Sequence, residues 1–83
     1  MPREFVFEVV EEYSTLSEKE ARTGTVYTKE FNLISYNGSQ PVYDIRNWTE
    51  NDEGKRMGKG ITLNKEELKE LRTALNQLDL DEA

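Results

Sequence analysis

TVYTKEFNLISYNGSQPVYDIRNW, residues 25–48, decides the fold. Residues 25–36 read as a strand in which Tyr27, Phe31 and Leu33 share a face. Asn37-Gly38 follows at once and is the strongest short hairpin signal, because both central positions of a type I′ turn need positive φ. Residues 41–48 return as the partner strand, and Pro41 suits its first position, where no ladder N–H is required. Side chains alternate along a strand. If Phe31, Leu33, Tyr43 and Ile45 face a core, then Tyr36, Val42, Asp44, Arg46 and Trp48 occupy the other face. Either that second face is wet, which leaves an unexpected Trp and Tyr beside an Arg, or it too is covered and Trp48 is core.

Outward from this hairpin, FVFEVVEEY (5–13) is a further strand rich in aromatic and β-branched residues. STLSEKEARTG (14–24) is polar, ends in Gly and reads as a connecting loop with room for a short helical turn. TENDEGKRMGK (49–59) reads as a polar hairpin loop, and GITL (60–63) as a short fourth strand. Asn64 with Glu67 three residues on makes an approximate capping box. Leu68, Leu71, Leu75 and Leu78 then form one narrow apolar stripe, which packs on the sheet or against a second copy's helix. The expected class is α+β, an antiparallel sheet followed by one C-terminal helix. One domain spans 1–83, with the sheet at about 4–63, the helix at about 64–79 and an acidic tail at 80–83. Four strands and one helix leave apolar surface open in a chain this small, so a homodimer is expected.

Composition narrows the chemistry. The chain has no Cys and no His, which removes disulfides, thiolate nucleophiles, Ser-His-Asp machinery and the usual zinc ligand sets. No paired acids lie in an apolar run that could separate their pKa values, so a carboxylate enzyme is disfavoured. No cofactor, metal or small-molecule substrate is expected. No apolar run approaches a membrane span and no signal-peptide layout opens the chain, so the expected location is cytoplasmic, nucleoid-associated at most. Net charge is -6, which argues mildly against a nucleic-acid partner. That charge comes from the ends: residues 1–24 and 64–83 sum to -3 each, while 25–48 and 49–63 are each neutral.

The middle combines the two devices that hold single strands, cations for phosphates and aromatic faces for bases. Tyr36, Arg46 and Trp48 share a parity, and Lys55, Arg56 and Lys59 follow in the glycine-containing loop. The competing reading is that Lys55 and Arg56 only balance Glu50, Asp52 and Glu53. Duplex DNA fits less well, because the helix KEELKELR carries as many acids as bases.

YNGSQPVYDIRNWTENDEGKRMGKGITLNKEELKEL also resembles the C-terminal domain of the eukaryotic transcriptional coactivator positive cofactor 4, and its small bacterial single-stranded DNA-binding counterparts more closely. The shared order is an aromatic-x-Gly hairpin, Asp-Ile-Arg with a Trp just after, an acidic-Gly-basic loop, and Gly-Ile-Ser/Thr-Leu opening a Leu-rich helix. It covers roughly residues 25–78. The resemblance implies a curved four-stranded sheet with a C-terminal helix, dimerisation through the helices, and single-stranded DNA, or RNA, bound with little sequence preference in transcription, replication or repair. By position it implies stacking at Tyr36 and Trp48 and phosphate contacts from Arg46, Lys59 and Lys29. Lys55 and Arg56 join that set from the residues alone, and Leu68, Leu71, Leu75 and Leu78 form the expected dimer seam. In the coactivator, however, the tryptophan lies one residue further from the arginine. Trp48 therefore aligns with it or with its neighbouring aromatic. Hairpin lysines are replaced by Asn37 and Ser39 and a strand arginine by Ile34, so weaker, salt-sensitive binding is expected. A protein-interaction module using the acidic surface and the Leu stripe is the alternative.

Overall fold

A computed structural model of the chain describes residues 6–81. Phe5, expected in the first strand, and Glu82 and Ala83 of the expected tail lie outside the described residues. Four strands, β1 (Phe7–Glu20), β2 (Val26–Tyr36), β3 (Val42–Asn51) and β4 (Gly54–Leu63), form one antiparallel sheet in sequence order, followed by helix α1 (Lys65–Asn76). The α+β architecture read from the sequence is the one observed.

Asn37 and Gly38 have φ of 52° and 77°, as a type I′ turn requires. Ser39 N–H closes the turn on Tyr36 O at 2.9 Å. Asn37 also ties β1 down, accepting from Val6 N–H at 3.0 Å through its side chain and donating its own N–H to Val6 O at 2.7 Å. The Asn64 cap is a complete capping box: Glu67 N–H donates to Asn64 Oδ1, Asn64 N–H to Glu67 Oε1, each at 2.8 Å.

Two segments depart from their sequence reading. Residues 14–20 are strand rather than loop, because β1 runs on through Glu20. Its pairing with β2 skips one β1 residue at three places, leaving Val10, Tyr13 and Leu16 unpaired as bulges. Apolar residues at 10, 13 and 16 thus recur at every third position, which matches neither the strand period nor a helix. Of the expected loop 49–59 all but Asp52 and Glu53 is strand: β3 runs on to Asn51 and meets β4 across that tight turn, where Glu53 N–H donates to Asn51 Oδ1 at 2.9 Å and Gly54 takes φ 121°.

The bulges coil the sheet. Phe7 pairs with Tyr36 and Trp48 with Thr28, eight β2 positions apart, which is on the order of 25 Å in a flat sheet. Their ring centroids are nevertheless 5.6 Å apart, so the start of β1 curls over the far end of β3. The concave face so formed holds Ile34, Trp48, Asn32, Asp44 and Glu30, the most buried described side chains. The parity read from the sequence is correct, but the burial is reversed. Phe31, Leu33, Tyr43 and Ile45 are only half-buried, on the convex face, where Tyr13 packs on Phe31 and Tyr43. Leu68 and Leu71 of α1 overhang this face and, with Leu16, Phe31, Tyr43, Ile45 and Leu75, frame an open apolar groove of about 530 Å³.

At Gly60, opposite Arg46, β4 lies so close to β3 that a Cβ there would be 2.6 Å from Arg46 Cα. Gly60→Ala is therefore expected to cost about 1–3 kcal/mol of stability, read as a lowered urea midpoint. An unchanged midpoint would mean that the two strands separate there at no cost.

Candidate nucleic-acid interface

The coiled sheet divides the seven candidate nucleic-acid residues between its two faces. Tyr36, Arg46, Trp48 and Lys55 belong to the concave side, whereas Lys29, Arg56 and Lys59 belong to the convex side.

On the concave side the polar groups are engaged with each other. Asp44 is fully buried and accepts from Tyr36 OH at 2.7 Å and from Arg46 Nη2 and Nε at 2.8 and 3.0 Å. Arg46 Nη1 reaches on to Gly58 O at 2.9 Å. That carbonyl is available because β4 bulges there, placing Gly58 and Lys59 opposite the single residue Asn47. Charge-assisted bonds of this number are what lets a carboxylate sit in such an interior. A second cluster centres on Glu30, which accepts from Thr28 Oγ1 at 2.6 Å, Asn32 Nδ2 at 3.4 Å and Lys55 Nζ at 2.8 Å. Lys55 Nζ also stands 5.1 Å above the Trp48 ring centroid. Trp48, enclosed by Phe7 and Lys55, is 2% exposed, and its indole N–H has no hydrogen-bond partner among the described residues. Of the two alternatives the sequence leaves for Trp48, the structure places it in the core. A ring so enclosed presents no face to a base.

Charge follows the same division. Glu12, Glu18, Glu20, Glu30, Asp44 and Glu50 take the concave parity, against only Arg46 and Lys55. Lys19, Lys29, Arg56 and Lys59 take the convex parity toward the β1–β2 and β3–β4 turns; the convex carboxylates Glu8 and Glu11 lie at the other end, opposite Ser35 and Leu33. Lys29, Asn47 and Lys59 border one shallow hollow of about 390 Å³. Arg56 pairs with Glu53 at 2.6 Å, but both are exposed and such a pair is worth little, so a phosphate could exchange for it. The distal convex face is thus cationic in a protein of net charge -6.

Two residues of this face escape the sequence reading. That reading gives Tyr27 only a face shared with Phe31 and Leu33 and puts Lys19 in a loop, yet the two pair directly across β1 and β2, and Tyr27 is 47% exposed. The signal that could have found Lys19 is the alternation Glu18-Lys19-Glu20, which in a strand sends the cation to the opposite face from both acids. Thr49, one residue beyond Trp48 and thus at the coactivator tryptophan's spacing from the arginine, is also convex, opposite Tyr27.

Residues 27–74, more than half the chain, match the model of the family described as Transcriptional Coactivator p15 (PC4). The chain belongs to the PC4 family. The matched stretch runs from Tyr27 through most of α1, and β1 lies outside it. An uncharacterized protein of Treponema pallidum (strain Nichols) is 38% identical over 78 residues, covering 94% of this chain and 85% of the relative. The PC4 domain is a nucleic-acid-binding domain, consistent with single-stranded DNA as a ligand.

Burial and the Asp44 carboxylate together push the Tyr36 hydroxyl up to about 12, while Arg46 tempers the rise. A phenol held above its unfolded value of about 10 adds stability below pH 10 that is lost as pH rises toward 12. For Glu30 burial is the largest influence and pulls upward, but the hydrogen bonds from Lys55, Thr28 and Asn32 outweigh it and lower its pKa. Its contribution is present above the unfolded value of about 4.3 and is lost as pH falls through the folded one. Tyr36→Phe is expected to flatten the alkaline stability loss and leave the acid limb in place, followed by urea midpoints from pH 3 to 12. An alkaline limb unchanged in Tyr36→Phe would remove the Tyr36–Asp44 bond as its cause.

Proposed function

We propose that this protein binds single-stranded nucleic acid, DNA in the first instance, with little sequence preference, as a non-enzymatic accessory factor in transcription, replication or repair. The observation that carries the reading is the segregation of charge by strand parity. Lys29, Arg56 and Lys59 share one open face across β2 and β4, while most sheet carboxylates are turned to the other. Membership of the PC4 family supports the same ligand. Phosphates follow the convex cations. Arg46 and Lys55, anchored to buried carboxylates, hold the sheet in shape instead of holding the strand. Few free cations imply modest affinity, with a log–log salt slope of about 0.7 for each cation engaged.

Anisotropy of fluorescein-labelled oligo-dT and of a labelled duplex, each at two salt concentrations, tests this. Single strands are expected to bind more tightly at low salt, and Lys29→Gln and Lys59→Gln each to reduce the log–log salt slope by about 0.7. No binding of oligo-dT at low salt would sink the reading and leave the protein-interaction module in its place; equal affinity for duplex would remove the single-strand preference.

A homodimer belongs to the same proposal. The groove between α1 and the convex face has an apolar floor bordered by Lys65, Lys69 and Arg72; Leu75 on α1 is 47% exposed and Leu78, just past the end of α1, 57%. Closing that groove with a second copy's helix would cover Leu75. Leu75→Glu is expected to convert a species of twice 9.7 kDa into a monomer in sedimentation equilibrium; a wild-type chain that is monomeric at every concentration would refute the dimer.

A further inference from the structure

Resting on the single-strand reading above, we infer that Tyr27 is the side chain on which a base stacks, and that Lys19, from the β1 extension, holds the adjoining phosphate. Stacking needs an aromatic ring with an open face beside cations. Trp48 has no open face, since Phe7 and Lys55 enclose it at 2% exposure. The Tyr36 hydroxyl is committed to buried Asp44. Tyr13 is engaged by Phe31 and Tyr43, with centroids 4.9 and 6.1 Å away. Tyr27 is 47% exposed and enters no such ring contact among the described residues.

Its neighbours complete the arrangement. Lys19 faces it on β1 and Thr49 on β3, each a directly paired residue whose Cβ lies about 4.5–5.5 Å away. Lys29 is the next same-face residue on β2, about 6.7 Å along the strand. Arg56 lies beyond Thr49 on β4. The phenol is thus flanked by cations on its own strand and on the strand to one side, with small Thr49 leaving room on the other. The β1 bulges are what bring Lys19 here: each skipped residue reverses the parity of the remaining strand, and three reversals leave Lys19 on the convex face with its flanking glutamates turned away. The stretch matched to the family model begins at Tyr27, so Lys19 reaches this face from the part of the sheet outside that match.

The test compares labelled oligo-dT with an abasic oligodeoxynucleotide of equal length, which keeps the phosphates and removes the bases. Tyr27→Ala is expected to weaken oligo-dT binding by about 5- to 150-fold, the range for loss of one stacked base, to leave abasic binding unchanged, and to be rescued by Tyr27→Phe. Lys19→Gln is expected to lower the salt slope by about 0.7 on both ligands. Circular dichroism of each variant checks that the exposed substitutions leave the fold intact. If wild-type protein binds oligo-dT but Tyr27→Ala matches it, or loses as much on the abasic strand, the stacking assignment is overturned while the single-strand reading stands. A Lys19→Gln slope equal to wild type overturns the phosphate contact. Failure of wild-type protein to bind oligo-dT overturns the functional reading itself.

Discussion

The contact between Phe7 and Trp48 exists only because β1 is bulged three times against β2. Without those insertions the two rings would lie at distant points of an open sheet, and neither face would be dry enough to serve as an interior. With them, a single sheet makes its own concave core and needs no second layer there. That constraint sets the rest. α1 is left to the convex face, Glu12, Glu18 and Glu20 of β1 are turned to the concave side, and the cations near the turns are left outside.

A concave interior this small cannot be filled by hydrocarbon alone. Beside Ile34 and Trp48 it contains Asp44, Asn32 and Glu30, so its cohesion depends on hydrogen-bond satisfaction as much as on apolar burial. Asp44, with Tyr36, Arg46 and through Arg46 the Gly58 carbonyl, links β2, β3 and β4 in one network. Removing its carboxylate would leave the largely covered Arg46 guanidinium without its counter-ion, and breaking a pair of this kind typically costs up to about 3–5 kcal/mol. Arg46 and Lys55, which in the sequence look like ligand-binding cations, are in this light the partners that let buried acids exist.

Much of the architecture was legible because its signals are local. Asn37-Gly38 fixes the central hairpin, Asn64 and Glu67 fix the start of α1, and strict alternation from 26 to 36 and 42 to 48 fixes which side chains share a face. What was not legible is which face is inside, because curvature arises from pairing between strands and not from either strand's own pattern. The spacing of Val10, Tyr13 and Leu16 shows the difficulty. It is a strand pattern broken by bulges, and its period of three points to neither strand nor helix, so by period alone it reads as a loop. The candidate site inherits the same ambiguity: type and neighbourhood nominate six residues and the family resemblance adds Lys29, and only the coil of the sheet shows that they divide between two faces.

Trp48 offers a last consequence, for spectroscopy. It is the chain's single tryptophan, held at 2% exposure between a phenyl ring and an ammonium group. Its emission therefore reports the integrity of the coiled interior, brightening or shifting when β1 peels away, and is nearly blind to events on the convex surface. In this protein intrinsic fluorescence is a gauge of folding, and ligand occupancy has to be followed from the ligand's side.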